Sequence, residues 1–379
     1  MRVIDRLHFE NFKSFRDASI DLGRLTVLLG PNASGKSTVL DGAHYLCQLA
    51  GQPQPREELF EHERSLSFLR TQGVSERMML RASFSFVDER GSLTWSFWRE
   101  RETPAGGAPV GSEDWRFEQT FAPAGLDQGR LGRLRSVVRL RLDPKELAAP
   151  AYSEDVPPRM KYSGSGLAAV LANLKLTDDD RFHTIQERLR AVVGSVRALR
   201  VEQAKIQVPV RVSESPSQYF SIEPTSRRWI HEERMGFRLL FDFQGAQGVP
   251  AHAASEGTLL VLGILTAMVA PPNPRLVLLD DLDRGLHPLA QKELVVLLKQ
   301  LLEKNKDLQI LATSHSPYLV DHLEPSEVRL TAVSPEGFAR IACLTDHPDF
   351  ERWKGQMAPG EFWSLVGESW ATGAAAGHA

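Results

Sequence analysis

Leu25-Thr26-Val27-Leu28-Leu29-Gly30-Pro31-Asn32-Ala33-Ser34-Gly35-Lys36-Ser37-Thr38 is the stretch that decides the fold. An apolar run of strand character enters a loop with glycines at its two ends. The residues that follow, Val39 to Leu49, have helical character. Strand, glycine loop and helix in that order form a phosphate cradle. Gly30 and Gly35 let the backbone curl tightly and turn several N–H groups inward. The helix N-terminus adds partial positive charge at the same spot. Lys36 is then a point charge for β- and γ-phosphates, and the Ser37 hydroxyl is placed to ligate Mg²⁺.

Such a loop needs a carboxylate partner, and the chain has one far downstream. Arg275-Leu276-Val277-Leu278-Leu279-Asp280-Asp281 is a short apolar run ending in two aspartates. It has the pattern of a buried parallel strand, whose carboxyl end is where open α/β sheets hold ligands. Asp280 is expected to hold Mg²⁺, and Asp281 to face the γ-phosphate and orient or deprotonate the attacking water. On its own this pattern is common and reads equally well as a strand ending in a polar turn. A second run, Ile310-Leu311-Ala312-Thr313, leads into Ser314-His315-Ser316-Pro317. A lone histidine is more often structural, but one at a strand end about thirty residues past paired aspartates is a candidate γ-phosphate contact. Ser255-Glu256-Gly257-Thr258 opens an apolar helix, Leu259 to Val269. Ser255 suits an N-cap, and the same helix start would serve an anion.

The 379 residues suggest one large domain or two joined lobes, and 42% hydrophobic content supports a sizeable core. No stretch approaches the ~20 apolar residues needed to span a bilayer, so no membrane association is expected. The opening Met-Arg-Val-Ile-Asp-Arg lacks the apolar core of a secretory signal. Cys47 and Cys343 lack metal-ligand or redox spacing and are expected to be buried thiols in a reducing cytoplasm. A net charge of −3 argues against binding nucleic acid through overall basicity, while leaving a local basic groove open.

Along the chain, strands are expected at Leu7–Phe9 and Ala18–Leu22. Polar loop with a short helix is expected over 51–75. Met78–Val87 and Leu93–Arg99 alternate as an antiparallel pair turning at Asp88-Glu89-Arg90-Gly91. Loop is expected over 103–113, and a strand over Val137–Leu142. Two helices suit 163–195, and strands return within 196–245, notably Lys205–Val212 and Phe237–Phe243. There is no internal repeat and no long heptad run. The tail from Ala371 is expected to be disordered.

Four pieces stand in one order: Gly30 to Thr38, Ser255-Glu256-Gly257, Leu278 to Asp281 with Gly285-Leu286-His287-Pro288, and Thr313 to Ser316. With Asn11-Phe12-Lys13-Ser14-Phe15 near the start, they resemble the ABC-type ATPases of the SMC and RecF class. More closely, they resemble the small bacterial AAA-family ATPases related to the OLD (overcoming lysogenization defect) proteins. The resemblance covers about residues 1–345. It implies an α/β P-loop NTPase of the ABC-ATPase head type, with a mixed central sheet, an antiparallel β subdomain and a helical lobe. The implied division is 1–102 (first half of the head), 103–250 (helical and β insertion), 251–345 (second half) and 346–379 (aromatic segment and tail).

By the same resemblance two heads pair head to tail around ATP and Mg²⁺. Gly30, Asn32, Gly35, Lys36, Ser37 and Thr38 would be Walker A residues. Asp280 would be the Walker B aspartate, holding the metal with Ser37. Ser255 and Gly257 would be signature residues reaching the partner's nucleotide, Gly285 to His287 would lie in the D-loop, and His315 would be the switch histidine. Lys13 and Ser14 match a segment that lies beside the nucleotide. The family's Q-loop glutamine is not assignable among Gln48, Gln52, Gln54 and Gln72.

Two departures matter. The family usually has Glu where this chain has Asp281, one CH₂ shorter. A slip of about an ångström can cost roughly 100-fold in rate, so slow hydrolysis is expected. OLD proteins also carry a C-terminal Toprim nuclease, whereas only some 64 residues follow His315, with no D-x-D cluster; the expectation is a chain that is not itself a nuclease. The implied role is ATP-dependent regulation of a separate effector, a nuclease or toxin, in phage defence or DNA maintenance. The alternative is an ATP-bound clamp on DNA with negligible turnover. A transporter subunit fits less well with the N-F-K-S-F opening and the L-H-P after the aspartates. Arginines crowd 130–141 (Arg130, Arg133, Arg135, Arg139, Arg141) and 227–238 (Arg227, Arg228, Arg234, Arg238). Ion-paired solvated strand faces are the expectation there, with DNA contact left open. Phe350, Trp353, Phe362, Trp363 and Trp370 are expected to pack back on the head, the alternative being a docking patch for another subunit.

Overall fold

Period-two burial writes the first two strands. In β1 (Arg6–Phe12) and β2 (Phe15–Asp21), Leu7, Phe9, Phe15, Ala18 and Ile20 turn inward while Arg6, His8, Glu10, Arg16, Asp17, Ser19 and Asp21 are partly or fully exposed; Asn11 and Phe12 at the end of β1 are buried as well. The segment Asn11 to Phe15 is the hairpin corner between them, with Phe12 paired to Phe15 and Lys13 in the left-handed region at φ 48°. This computed structural model describes residues 3–52, 69–71, 77–86, 89–99, 108–110, 115–122, 128–211, 229–271 and 273–372. The expected 51–75 helix, Gln54, Gln72, Arg227, Arg228 and the tail from residue 373 lie outside these, wholly or largely.

The chain continues through β3 (Leu25–Leu29), α1 (Lys36–Leu49), β4 (Met78–Phe86), β5 (Glu89–Arg99), β6 (Ala108–Val110), β7 (Trp115–Ala122), α2 (Gln128–Arg135) and β8 (Val137–Leu140). The next stretch is α3 (Pro144–Ala148), α4 (Leu167–Thr177), α5 (Asp179–Val192), β9 (Val196–Arg211), β10 (Trp229–Phe243), β11 (Ala246–Pro250) and α6 (Glu256–Val269). It ends with β12 (Leu276–Leu279), α7 (Pro288–Lys304), β13 (Gln309–Thr313), α8 (Pro317–Val320), β14 (Val328–Val333), β15 (Ala339–Cys343), α9 (Phe350–Trp353) and α10 (Pro359–Val366). Two compact units result, residues 1–141 with 271–379, and residues 142–270. The strand β7 and helix α2 therefore belong with the first unit, and α6 with the second.

The first unit holds two six-stranded sheets. One is antiparallel, in the order β2-β1-β4-β5-β7-β6. The other runs β15-β14-β3-β13-β12-β8, parallel except for β15 at its edge. Every residue of β3, β12 and β13 is buried, as in strands covered on both faces. One core runs from Phe9, Phe15, Trp95 and Phe97 of the antiparallel sheet, through Leu40, Ala43 and Leu46 of α1, to Leu278 and Leu311 of the parallel sheet. Gln309 joins the N-terminal segment to β13. Its Oε1 accepts from Val3 N and Ile4 N, and its Nε2 donates to Ile4 O and Gly23 O, so all its amide groups are satisfied while it is buried.

The second unit packs α6 against α3, α4 and α5 beside the long β9–β10 ribbon. Asp178 caps α5 by accepting from Arg181 N. Arg238 pairs with Glu202 at 3.0 Å and Lys205 with Glu233 at 2.6 Å, as expected of a solvated ribbon face and of little energetic weight.

Four local expectations are corrected. Glu89, Arg90 and Gly91 are not a turn but the start of β5, since Glu89 already pairs with Phe86. Ala108–Val110, expected as loop, pairs with β7. Ladder bonds override loop-forming composition there. Cys343 is only half-buried, held by Arg329 and Thr345, whereas Cys47 is buried and its thiol is pushed up to about 12 by desolvation. Arg139 is not on a solvated face: it pairs with Asp41 of α1 with little of its side chain exposed. At the C-terminal end Phe350 and Phe362 are buried, and His347 meets Phe362 and Trp370 edge-on.

His44 on α1 carries a pH liability. Its Nδ1 is enclosed without a hydrogen-bond partner, and desolvation, reinforced by the Arg139 charge, lowers its pKa to about 4. A depressed histidine stabilises the fold fully above its ordinary pKa near 6.5. That contribution is lost as pH falls toward 4. Between pH 7 and pH 5 the loss is about 2 kcal/mol. Unfolding free energies from urea titrations at the two pH values are expected to diverge by that much more in the native chain than in His44→Gln; equal divergence would refute the assignment.

Candidate functional site

The glycine loop leaves β3 with Gly30 at φ 141° and ends with Gly35 at φ 98°, immediately before α1. A Cβ on Gly30 would stand 2.2 Å from Thr331 O; one on Gly35 would stand about 3 Å from the Phe15 ring, Ser14 Oγ and Ala339. The loop therefore fits between β14 and the Lys13–Ser14 corner only with glycine at both ends. Gly30→Ala is expected to cost ~2–5 kcal/mol, from the clash and the forced φ together; a chemical-denaturation midpoint unchanged from the native chain would contradict this.

Lys36 is buried, and its ammonium donates to Gly30 O at 2.8 Å and Pro31 O at 2.7 Å. Desolvation lowers its pKa, while the Asp281, Asp280 and Asp283 carboxylates oppose the shift. One residue on, Ser37 Oγ lies 3.1 Å from each carboxylate oxygen of Asp280, across 243 positions of sequence. Thr313 Oγ1, at the end of β13, donates to Asp280 Oδ1 at 2.7 Å and accepts from Asp281 N at 2.8 Å. Asp281 itself has a left-handed backbone, φ 56°, and its Oδ1 is 3.7 Å from His315 Nε2. The backbone of His315 donates to Asp283 Oδ1 at 3.1 Å. Ser316 Oγ donates to Gln291, whose amide donates to Leu286 O, tying the loop after β13 to the start of α7.

These groups surround one cavity of about 630 Å³, within the rough 300–1,000 Å³ range of small-molecule sites. Lys13, Ser14, Asn32, Gly35, Lys36, Ser37, Thr38, Asp281 and His315, all marked in the sequence, line it. Ser14 Oγ is enclosed there without a hydrogen-bond partner. Lys13 donates to Asp41 at 2.6 Å, and Asp41 also takes Arg139. Gly30 and Asp280 sit behind the lining, reaching it through Lys36 and Ser37. Ser255 and Gly257 belong to the second unit. Ser255 is exposed and caps α6 by accepting from Thr258 N, while Gly257 is buried in the first turn.

Sequence reading missed Thr313, Asp283, Arg284 and Arg141. The last three line the cavity, and Thr313 holds both aspartates. Thr313 carries a usable signal, as the polar last residue of an apolar run beside the aspartate strand. Arg141 carries none, being one arginine among several. Of the four glutamines, Gln48 and Gln52 are described, and neither lines the cavity. No described helix is long and apolar enough to cross a membrane, and no group of three or more His, Cys, Asp or Glu among the described residues is arranged to hold a metal.

Residues 145–321 match a family model described as "AAA domain, putative AbiEii toxin, Type IV TA system", and residues 6–121 match a second, described as "AAA domain". The chain is 24% identical to an OLD nuclease of Thermus scotoductus, over 84% of this chain but only 60% of that protein's length. Among solved structures it resembles an SMC head bound to the C-terminal winged-helix domain of ScpA, with a TM-score of 0.56 and 14% identity, covering 89% of this chain and 96% of that one. It also resembles an SMC head with an extended coiled coil bound to the C-terminal domain of ScpA derived from Pyrococcus furiosus. There the TM-score is 0.55 and the identity 11%, over 93% of this chain and 99% of that one.

Proposed function

We propose that this chain, which has the AAA domains and the head fold of the ABC-type SMC and OLD-like ATPases, binds and hydrolyses Mg·ATP in the cavity around Lys36. The observation that carries this reading is the meeting of Ser37 and Asp280 at 3.1 Å, beside the Lys36 ammonium and the start of α1. A hydroxyl and a carboxylate in contact are hard oxygen donors suited to Mg²⁺. The enclosed, unpartnered Ser14 hydroxyl is a donor without an acceptor until a polar ligand arrives. Bound Mg²⁺ would neutralise charge on the terminal phosphates.

In this reading Lys36 and the amides of residues 32–38 hold the phosphates, with Lys13 and Ser14 on the hairpin corner beside them. Ser37 and Asp280 hold the metal. Asp281, kept in place by Thr313, takes the proton of the attacking water, and His315 steadies the Asp281 carboxylate and contacts the terminal phosphate. Ser255 and Gly257 at the start of α6 complete the site of a second copy, so that ATP bridges a homodimer. The dimer regulates a separate effector, a nuclease or toxin, in phage defence or DNA maintenance. The relative's name and the family description, one a nuclease and the other a toxin system, support an effector of that kind.

The tests are calorimetric titration with Mg·ATP, phosphate release with and without duplex DNA, and chromatography with a non-hydrolysable ATP analogue. ATP binding, turnover and an analogue-dependent dimer are expected; absence of nucleotide binding would overturn the reading. A second reading, an ATP-dependent DNA clamp with negligible turnover, is favoured by the short Asp281 carboxylate. DNA retention with ATP and no phosphate release would select it. Co-expression with the product of the adjacent gene tests the effector, with ATP-dependent association as the expected result.

A further inference from the structure

Arg141 stands at the same rim of the parallel sheet as the two aspartates. Strand β8 pairs with β12 in the register Leu140 to Leu279, so Arg141 is the cross-strand neighbour of Asp280, whose N–H donates to Leu140 O at 2.9 Å. Side chains two apart on a strand share a face. Arg139 reaches Asp41 on α1, so Arg141 is directed to that same face one step nearer the rim, where it lines the cavity with Lys36, Ser37 and Asp281. Its charge is uncommitted. Lys13 and Arg139 share Asp41, whereas no carboxylate lies within ion-pair distance of Arg141 among the described residues. Among the other lining cations Lys13 is held by a carboxylate and Lys36 by carbonyls, while Arg284 is exposed on the lining too but follows the aspartates rather than standing beside Asp280 on the sheet rim. An exposed guanidinium without an anion in such a cavity is a phosphate receptor: planar, always charged and able to bind two oxygens at once.

Resting on the ATP reading above, we infer that Arg141 contacts the terminal phosphate from within its own chain. The aspartates mark the γ end of the site, and Arg141 adjoins them. It is therefore a specificity residue that separates a nucleoside triphosphate from a diphosphate. It stands where neither Gln48 nor Gln52, the two described glutamines, lines the cavity, and it is the last residue before the chain enters the second unit.

The test is equilibrium binding of a non-hydrolysable ATP analogue and of ADP, each with Mg²⁺, to the native chain, Arg141→Ala, Arg141→Gln, Arg141→Lys and Arg284→Ala. The analogue is expected to weaken about 10- to 100-fold in Arg141→Ala, the loss of a charged hydrogen-bonded contact. ADP is expected to change less than about twofold. Arg141→Lys recovers only part, because an ammonium cannot match the fork. Arg141→Gln, neutral but long, gives the same selective loss and serves if the alanine variant fails to fold. Equal losses for both nucleotides, no loss for either, or a selective loss in Arg284→Ala alone would each overturn the inference. A native chain that binds neither nucleotide removes the ATP reading itself; one that binds both while Arg141→Ala behaves like it removes only this inference.

Discussion

Lys36→Ala is expected to abolish measurable binding of Mg·ATP while leaving the protein folded. The Lys36 ammonium is buried at the floor of the loop, and two backbone carbonyls hold it 2.7–2.8 Å away. A phosphate entering the cavity would replace those neutral acceptors with a charged one, and charge-assisted bonds in a partly desolvated site are about twice as strong. Removing the ammonium leaves the phosphate facing Asp281 and Asp283 with that much less opposing charge. The expected loss of affinity is 100-fold or more, roughly 3 kcal/mol or above. The fold survives because Pro31 O keeps the Ser34 hydroxyl as a donor and the truncated side chain lines an open cavity rather than the packed core. Calorimetry decides the first point and a thermal melt the second. Unchanged ATP affinity would refute the phosphate-cradle assignment.

Asp281→Asn is expected to separate binding from chemistry. The amide keeps the shape of the carboxylate, and asparagine tolerates the left-handed backbone at φ 56° as aspartate does. ATP affinity is therefore expected to stay within about threefold of the native chain's, while removal of a positioned base lowers kcat by ~10²–10⁴. Single-turnover phosphate release from preloaded protein measures this directly. A native-like rate in Asp281→Asn would remove Asp281 from the chemistry and strengthen the clamp reading. The left-handed conformation also adds to the sequence comparison with the usual Glu. Chain length suggested only a shorter reach, but at positive φ a short polar side chain that bonds locally is more readily accommodated than a long one.

Much of the fold was legible because its decisive elements announce themselves locally. Leu25–Leu29, Leu276–Leu279 and Gln309–Thr313 are strands because short, predominantly apolar runs suit a sheet covered on both faces. Gly30 and Gly35 were legible as a special loop because only glycine reaches positive φ without strain. The failures were also local. Glu89-Arg90-Gly91 reads as a turn by composition, yet pairing with Phe86 and Ser85 supplies ladder bonds that outweigh the propensity. Ala108–Val110 follows the same rule against β7.

The sequence alone determined the chemistry available: paired carboxylates at the end of one apolar strand, and an ammonium and a hydroxyl at the start of the helix that follows the loop after another, all therefore at the rim of one sheet. Three-dimensional packing alone decided which of them touch. The strand order β3-β13-β12-β8 sets Thr313 between the loop and the aspartates, puts Ser37 against Asp280, and brings Arg141 rather than any described glutamine to the cavity. Sheet order follows from which buried faces pack together over hundreds of residues. No window of sequence carries that sum, whereas a strand's end and its polar residue are written within ten positions.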